Sequence, residues 1–252
     1  MRTVLVPLPQ VDFDPTEVAV PWRALVAAGV QVRFATPTGA PGAADPRMVT
    51  GRDLGLLKGL LMADRHGVDA YAALVASPEF QDPLAYEGAR PEAFDALLLP
   101  GGHAKGMCPY LESPVVQAMV AHFFDADKPV AAICHGTLLA ARSVSPRTGR
   151  SVLHGRRTTG LTRMQELTAW NLTRAWLGDY YRTYPTPMET ELRSFLRSPA
   201  DYDPGPLPLR RDTPDNLGPG FIVRDGNYLS ARWPGDAHRF AAAFVELVQR
   251  GG

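Results

Sequence analysis

The chain has 252 residues, which is enough for one large α/β domain or two small ones. Hydrophobic residues make up 45% of it, and 26 basic side chains balance 26 acidic ones, so the net charge favours neither nucleic acid nor a membrane surface. No apolar run approaches the ~20 residues of a membrane span, and the sequence shows no signal-peptide pattern. We therefore expect a cytoplasmic protein whose two cysteines, Cys108 and Cys134, stay reduced.

The amino-terminal stretch predicts a strand–helix–strand unit. The segments Thr3 to Leu8 and Val30 to Ala35 are apolar runs typical of strands, and the amphipathic segment Val18 to Ala28 is typical of a helix. Asp14 is placed to cap this helix, and Glu17 follows three residues later, as in a capping box. Such a unit implies parallel strands and a right-handed crossover.

Residues 36 to 93 interrupt this alternation. A loop rich in Pro and Gly, 36 to 46, precedes two segments with helical apolar spacing, Leu54 to Ala63 and Ala70 to Val75. We interpret residues 54–80 as a helical insert that lies over one edge of the sheet or over the functional site.

The stretch around Cys134 combines a buried strand, a sharp turn and a helix. Val130 to Ile133 is an unbroken apolar run, and Leu138 to Ala141 has a helical pattern. The small residues Ala132 and Gly136 flank the cysteine, as in a nucleophile elbow with Cys in place of Ser. The N-terminus of the following helix should then favour the thiolate. A buried structural cysteine is the alternative interpretation.

A second loop is expected at the same edge of the sheet. Ala96 to Leu99 reads as a strand, and Gly101, Gly102 and His103 follow it. Paired glycines let a ligand approach the backbone, and their N–H groups can bind an anion. His103 is either a donor to this site or a plain loop residue. Ligands of such folds bind beyond the carboxyl ends of the strands, where this loop and Cys134 both fall.

The rest of the chain continues the alternation of helices and strands. The pattern predicts helices at Ser113 to Ala126, Met164 to Leu177, Glu189 to Leu196 and Ala237 to Val248, a short strand at Gly155 to Gly160, and a hairpin of Phe221 to Val223 with Tyr228 to Ser230. The Pro-rich stretch 198–220 is expected to be a long loop. The whole predicts one α/β domain over residues 1–252, a helix–sheet–helix sandwich around a mostly parallel central sheet. The tryptophans are expected in the core.

Several motifs resemble the ThiJ/PfpI superfamily, whose fold is flavodoxin-like and related to class I glutamine amidotransferases. The matching segments are Glu17, LLLPGGH at 97–103, AAICHG at 131–136, GRRTTGLTRMQE at 155–166 and DGNYLSARWPGDAHRFAAAFVEL at 225–247. Within this superfamily, the combination of a Cys-His pair with a Glu later in the chain resembles that of the heat-inducible chaperones that have glyoxalase III activity.

The resemblance implies a role for each matching residue. Cys134 would be the nucleophile, His135 and Glu166 would complete a triad with it, and Glu17 would contact its sulfur. The N–H groups of Gly102 and His135 would stabilise an oxyanion. The residues expected to bind substrate are Gly101, Gly102 and His103. Cys108 is expected to be a passive thiol.

The resemblance also implies a cysteine-dependent, cofactor-independent enzyme that converts 2-oxoaldehydes to 2-hydroxy acids. A cysteine hydrolase acting on amides or peptides, a holdase chaperone and a redox-stress sensor are alternatives that the same residues leave open. Some chaperone members of the family carry a metal site built from His and Glu near the first helix. The first helix here offers Glu17 but no His, so no such metal is expected. The expected partner is a small carbonyl compound rather than nucleic acid or membrane, and family members are often homodimers.

Overall fold

The strands form one large sheet and one small one in the computed structural model, which describes residues 1–250. The strands are β1 (Thr3–Pro7), β2 (Val11–Phe13), β3 (Gln31–Thr36), β4 (Ala43–Ala44), β5 (Leu84–Ala85), β6 (Ala96–Leu99), β7 (Val130–Ile133), β8 (Ile222–Asp225) and β9 (Tyr228–Ala231). The large sheet has the order β5-β3-β1-β6-β7-β9-β8, and β2 pairs with β4. All neighbouring pairs in the large sheet are parallel except β8 and β9, which form an antiparallel hairpin.

Helices follow most of these strands. They are α1 (Pro15–Ala27), α2 (Pro46–Thr50), α3 (Lys58–Leu61), α4 (Arg65–Val75), α5 (Pro78–Gln81), α6 (Cys108–Leu111), α7 (Pro114–Asp125), α8 (Gly136–Arg142), α9 (Arg163–Leu177), α10 (Met188–Phe195) and α11 (Ala237–Arg250). Short 3₁₀ helices lie at Gly55–Leu57, Tyr86–Gly88, Pro91–Ala93, Lys105–Met107, Pro199–Asp201 and Pro234–Asp236. Within residues 1–250, no helix has the length and apolar character needed to cross a membrane.

The helices cover both faces of the large sheet. The crossovers β1–α1–β3 and β6–α7–β7 run in opposite directions across it, so right-handed connections place α1 and α7 on opposite faces. Helix α1 packs against α4 and α11, whereas α8 packs against α7 and α10. This arrangement confirms the predicted helix–sheet–helix sandwich. The strand order reverses between β1 and β6, and ligands of such folds bind beyond the strand ends at that point.

The central strands are apolar along their whole length because helices cover both of their faces. Every residue of β6 and β7 is buried, as the unbroken apolar runs predicted. Burying one large aliphatic side chain stabilises a fold by roughly 1.5–3 kcal/mol. The stable centre of the sheet therefore supports the loops that follow β6 and β7.

The predicted insert at 54–80 folds as a series of helices and contacts two other parts of the protein. Helix α4 packs along α1, and Gly67 sits so close that a Cβ there would lie 2.4 Å from Thr16 Oγ1. The earlier part contributes Leu54 to a small second apolar cluster, where it is buried with Met48 and Tyr181. The insert therefore braces both the first helix and the segment that follows α9.

The Pro-rich stretch 198–220 is largely irregular, as predicted. It is held in place by Arg232, which directly follows β9. Arg232 is buried and donates to Pro206 O at 2.6 Å, while it forms an ion pair with the buried Asp236 at 2.9 Å. At the other end, Arg211 donates to Met62 O at 3.0 Å. The loop is therefore tied to both the sheet and the insert.

Three local predictions are wrong. The expected strand at Gly155 to Gly160 is reduced to an isolated bridge between Thr158 and Tyr202, because Thr158 pairs with the irregular stretch 198–220 and with no strand of the large sheet. The expected loop at 36–46 contains the two-residue strand β4. Trp22 is buried as expected, but Trp176 is 51% exposed, since α9 turns much of its surface outward.

Candidate active site

Cys134 stands at the predicted sharp turn between β7 and α8. Its φ angle is 55°, in the left-handed region that residues other than glycine and a few polar types avoid. Gly136 opens α8 immediately afterwards, and a Cβ there would lie 2.0 Å from Leu99 O. Only glycine lets the helix begin so close to β6. The strained turn places the sulfur at the carboxyl edge of the sheet, as the elbow pattern predicted.

Glu17 reaches this edge from the first turn of α1. Asp14 caps the helix by accepting from the N–H groups of Thr16 and Glu17, as predicted. The Glu17 side chain does not complete a capping box, because the Asp14 N–H donates to Gly101 O at 2.9 Å. Glu17 Oε2 instead accepts from Gly101 N at 2.9 Å, and the carboxyl forms a side-chain hydrogen bond with Cys134. Capping therefore does not account for this acid.

Burial controls the protonation of the Glu17 and Cys134 pair. Glu17 is fully buried, which raises its pKa well above 4.5, and the Asp14 carboxyl raises it further. Burial likewise raises the pKa of the Cys134 thiol well above 9, with Glu17 and Asp14 adding to the effect. The expectation that the helix N-terminus favours thiolate is therefore wrong for the closed site. Its resting form pairs a neutral thiol with a protonated acid that can donate to the sulfur.

His135 provides a base beside this thiol. Its Nδ1 lies 3.6 Å from Cys134 Sγ, and its Nε2 lies 3.1 Å from Thr183 Oγ1. Burial lowers the pKa of the imidazole to about 3, and the neighbouring His103 and Arg142 lower it further. The ring is therefore neutral, and one of its two nitrogens carries no proton. The backbone N–H of His135 also donates toward the sulfur.

Glu166 lies in the first turn of α9 but does not orient His135. Its Oε2 accepts from Met188 N at 2.8 Å, and its Oε1 lies 3.7 Å from Arg182 Nε. Burial raises the pKa of this carboxyl to about 7. The predicted contact between Glu166 and His135 is not formed, because Thr183 takes that position on the ring. A catalytic role for Glu166 stays a prediction that this geometry does not favour.

The glycine loop after β6 lies against the elbow. A Cβ on Gly101 would come within 2.6 Å of His135 N and 2.9 Å of Glu17 Oε2, so close packing requires glycine there. The Gly101 N–H is already used by Glu17, which leaves it unavailable for an oxyanion. Gly102 has a φ of 153° and a Cβ there would lie 2.6 Å from Asp12 O. The oxyanion role of Gly102 and His135 stays a prediction.

His103 belongs to an aromatic cluster rather than to the thiol. Its ring stacks on Tyr181 with 4.3 Å between centroids and meets Tyr180 edge-on at 4.9 Å. Burial lowers the pKa of His103 to about 4. The described residues contain no group of three or more His, Cys, Asp or Glu arranged to hold a metal.

The segment 178–187, which follows α9, contributes residues that the sequence motifs did not mark. Thr183 contacts His135, and Tyr181 stacks on His103, so this segment buries both imidazoles. Cys108 donates its S–H to Thr183 O at 3.8 Å and is not paired with Cys134, and its expected passive role stays a prediction. No local pattern surrounds Thr183, so only its position in space identifies it.

These features define an α/β protein with a cysteine at a nucleophile elbow, flanked by a buried acid and a neutral imidazole at the switch point of a parallel sheet. The family model described as ThiJ/PfpI family-like matches residues 8–206. The chain belongs to the ThiJ/PfpI family, as its motifs suggested.

Two relatives illustrate the similarity in sequence. An uncharacterized protein of Schizosaccharomyces pombe is 29% identical over 248 residues, which cover 96% of this chain and 82% of that protein. A deglycase of Pyrococcus horikoshii is 40% identical over 166 residues, which cover 66% of this chain and 69% of the deglycase. The chain is therefore similar to proteins that share most of its length.

Solved structures share the fold at lower identity. The Rapid Encystment Protein of Francisella tularensis has a TM-score of 0.71 at 15% identity, over 98% of this chain and 99% of that one. Glyoxalase III of Candida albicans has a TM-score of 0.68 at 18% identity, over 98% of this chain and 97% of that one. These likenesses establish the common fold.

Proposed function

We propose that the chain is a cysteine-dependent, cofactor-independent enzyme that converts 2-oxoaldehydes to 2-hydroxy acids. The observation that carries this proposal is the sulfur of Cys134, held at φ 55° with the protonated Glu17 on one side and the neutral His135 on the other. An acid and a base beside one nucleophile are the groups that an internal proton transfer between neighbouring carbons requires. Similarity in fold to a glyoxalase III supports the choice of substrate.

The first step forms a bond between sulfur and carbon. His135 Nδ1 takes the thiol proton as Sγ attacks the aldehyde carbon of the substrate, and the aldehyde oxygen then takes that proton to give a hemithioacetal. The high pKa of the buried thiol makes this base necessary, because little thiolate exists before substrate binds. N–H groups of Gly102 and His135 would stabilise the oxygen as it gains charge.

The second step moves hydrogen between two carbons without a net change in oxidation state. His135 removes the proton from the former aldehyde carbon, which gives an enediol, and the neighbouring carbon then receives a proton. Glu17 is placed to donate to and recover from the oxygens of the enediol, since its pKa keeps it protonated at rest. The product of this step is a thioester of a 2-hydroxy acid, and water releases the acid and regenerates the thiol.

The burial of the site favours a small substrate. Cys134 is 4% exposed and His135 is 1% exposed. The closed surroundings exclude bulk water and strengthen the electrostatic contacts inside. Such surroundings suit an enediol, which is a reactive intermediate that must be kept from solvent. A large folded or peptide substrate would require displacement of segment 178–187 and its contacts with His103 and His135.

The proposal is tested by following conversion of methylglyoxal to lactate, with product identified by mass, in the absence of thiols and metals. The unmodified protein should produce lactate, Cys134→Ser should produce none, and Cys108→Ser is the matched control that should retain activity. Lactate formation by Cys134→Ser at the rate of the unmodified protein would refute the mechanism.

A second candidate is hydrolysis by the same nucleophile. The relatives named deglycases favour it, because Cys134 attack on a carbonyl carbon followed by water would also release an adduct or an amide. The two candidates differ in the need for an internal proton transfer. In deuterated water, an enediol route places on the 2-carbon of lactate either solvent deuterium or the hydrogen that His135 took from the aldehyde carbon, whereas hydrolysis leaves the carbon-bound hydrogens of its substrate unchanged.

A further inference from the structure

We propose that Thr183 is a positioning residue that holds His135 in the tautomer able to accept the Cys134 proton. This inference rests on the proposed function, because it names the group that orients the base in that reaction. The sequence motifs suggested Glu166 for this task, but Thr183 is the side chain that contacts the outer nitrogen of the ring.

The hydrogen bonds of Thr183 fix the position of one proton. Thr183 Oγ1 donates to His103 O at 2.6 Å and lies 3.1 Å from His135 Nε2. A hydroxyl has a single hydrogen, and a carbonyl oxygen can only accept, so that hydrogen is committed to His103. Toward His135 the Thr183 oxygen can therefore only accept. It follows that Nε2 carries a proton.

The opposite nitrogen is then free to act on the thiol. A neutral imidazole has one N–H, so a proton on Nε2 leaves a lone pair on Nδ1, which lies 3.6 Å from Cys134 Sγ. In the other tautomer, the Nε2 lone pair would face a Thr183 oxygen that has no hydrogen left to give. The arrangement around Thr183 thus excludes the tautomer that cannot act as a base.

Thr183 differs from a carboxylate in the charge that it brings to the ring. A carboxylate beside the ring would stabilise imidazolium and raise the pKa of His135, whereas a hydroxyl orients the ring and leaves it neutral at rest. Thr183 orients the ring without adding charge to a closed site that already holds a protonated Glu17. Thr183 is itself 6% exposed, and its carbonyl accepts from Cys108, so its own position is fixed.

Two variants and one matched control test the inference in the full-length protein. Thr183→Val removes the hydroxyl at nearly constant shape, and Thr183→Ser restores it. Thr173→Val is the control, because Thr173 is also buried and also donates to a backbone carbonyl, Ala169 O at 2.7 Å, but it lies in α9 away from these contacts. Thermal unfolding of each variant shows whether it retains the fold.

The decisive readout is the ¹⁵N spectrum of the His135 ring in protein without substrate, assigned by its loss in His135→Gln. The unmodified protein should show a protonated Nε2 and a proton-free Nδ1, and Thr183→Val should show both tautomers. The kcat/KM for methylglyoxal should fall about tenfold in Thr183→Val, which matches the loss of one neutral hydrogen bond. Thr183→Ser should restore both readouts, and Thr173→Val should change neither.

The failure of this inference is distinguishable from the failure of the proposed function. A proton on Nδ1 in the unmodified protein would overturn the role of Thr183 even if every variant at this position failed to fold. An unchanged tautomer in Thr183→Val would overturn it as well. If the spectra change as expected while no protein converts methylglyoxal, the positioning role stands and the proposed reaction is wrong.

Discussion

Replacing Glu17 with Gln separates the shape of the buried acid from its proton. Gln has nearly the same volume, its carbonyl oxygen can accept from Gly101 N, and its amide can donate to Cys134 Sγ. Because burial already keeps Glu17 neutral, the substitution leaves the charge of the resting site unchanged. Glu17→Gln should therefore fold normally but lose the group that gives and recovers a proton.

The effect on stability has a definite sign. The folded-state pKa of Glu17 is raised above 4.5, so its contribution is fully present below the unfolded pKa and is lost as pH rises toward the folded value. Over that window the free energy of unfolding falls by at most about 1.4 kcal/mol per pH unit through this group. Glu17→Gln removes this dependence, so the variant should gain stability relative to the unmodified protein as pH rises from 5 to 8.

Glu17→Gln should also slow turnover. A general acid or base contributes ~10²–10⁴-fold to a rate, so kcat for methylglyoxal should fall by that factor in Glu17→Gln. Urea unfolding at several pH values and lactate formation are the two assays, with Glu87→Gln as a control at an exposed carboxyl. Parallel stability profiles for Glu17→Gln and the unmodified protein would show that Glu17 is ionised. Full turnover by the variant would refute its role in proton transfer.

Other substitutions test the fold and the assignment of the acids. Gly136→Ala should destabilise the protein by about 1–3 kcal/mol or more, because the added Cβ would lie 2.0 Å from a carbonyl oxygen of β6. Gly59→Ala is the control, because a Cβ there would have no neighbouring atom within 4 Å and should not destabilise the protein. Differential scanning calorimetry compares the two variants. Asp236→Asn should cost about 3–5 kcal/mol in urea unfolding because it leaves Arg232 buried without its partner, and a cost under about 1 kcal/mol would contradict that pairing. Glu166→Gln should lower kcat/KM for methylglyoxal by far less than the ~10⁴-fold loss that follows substitution of a triad acid, and a loss of that size would restore Glu166 to the triad.

Local patterns were sufficient to predict the scaffold of the site. The apolar run before Cys134 and the small residues beside it specify a buried strand and a sharp turn, and both depend on neighbours in sequence. The cap at Asp14 is equally local, since its oxygen binds N–H groups two and three residues ahead. These features place Glu17 and Cys134 at one edge of the sheet.

The electrostatic state of the site could not be predicted in the same way. A helix N-terminus favours thiolate, but the burial of Cys134 outweighs it, and burial depends on segments that are distant in sequence. The partner of His135 is similarly non-local, because Thr183 lies 48 positions away in an irregular segment without a motif. Glu166 has the expected place in α9, yet the start of α10 at Met188 takes its carboxyl.

The central claim is that the sulfur of Cys134 bonds to a substrate carbon during turnover. Protein quenched with acid during reaction with methylglyoxal, then digested and mapped by mass spectrometry, tests this most directly. The account predicts a substrate-derived thioester on the peptide that carries Cys134 and none on Cys108. An adduct found only at other residues, together with undiminished lactate formation by Cys134→Ser, would contradict the account.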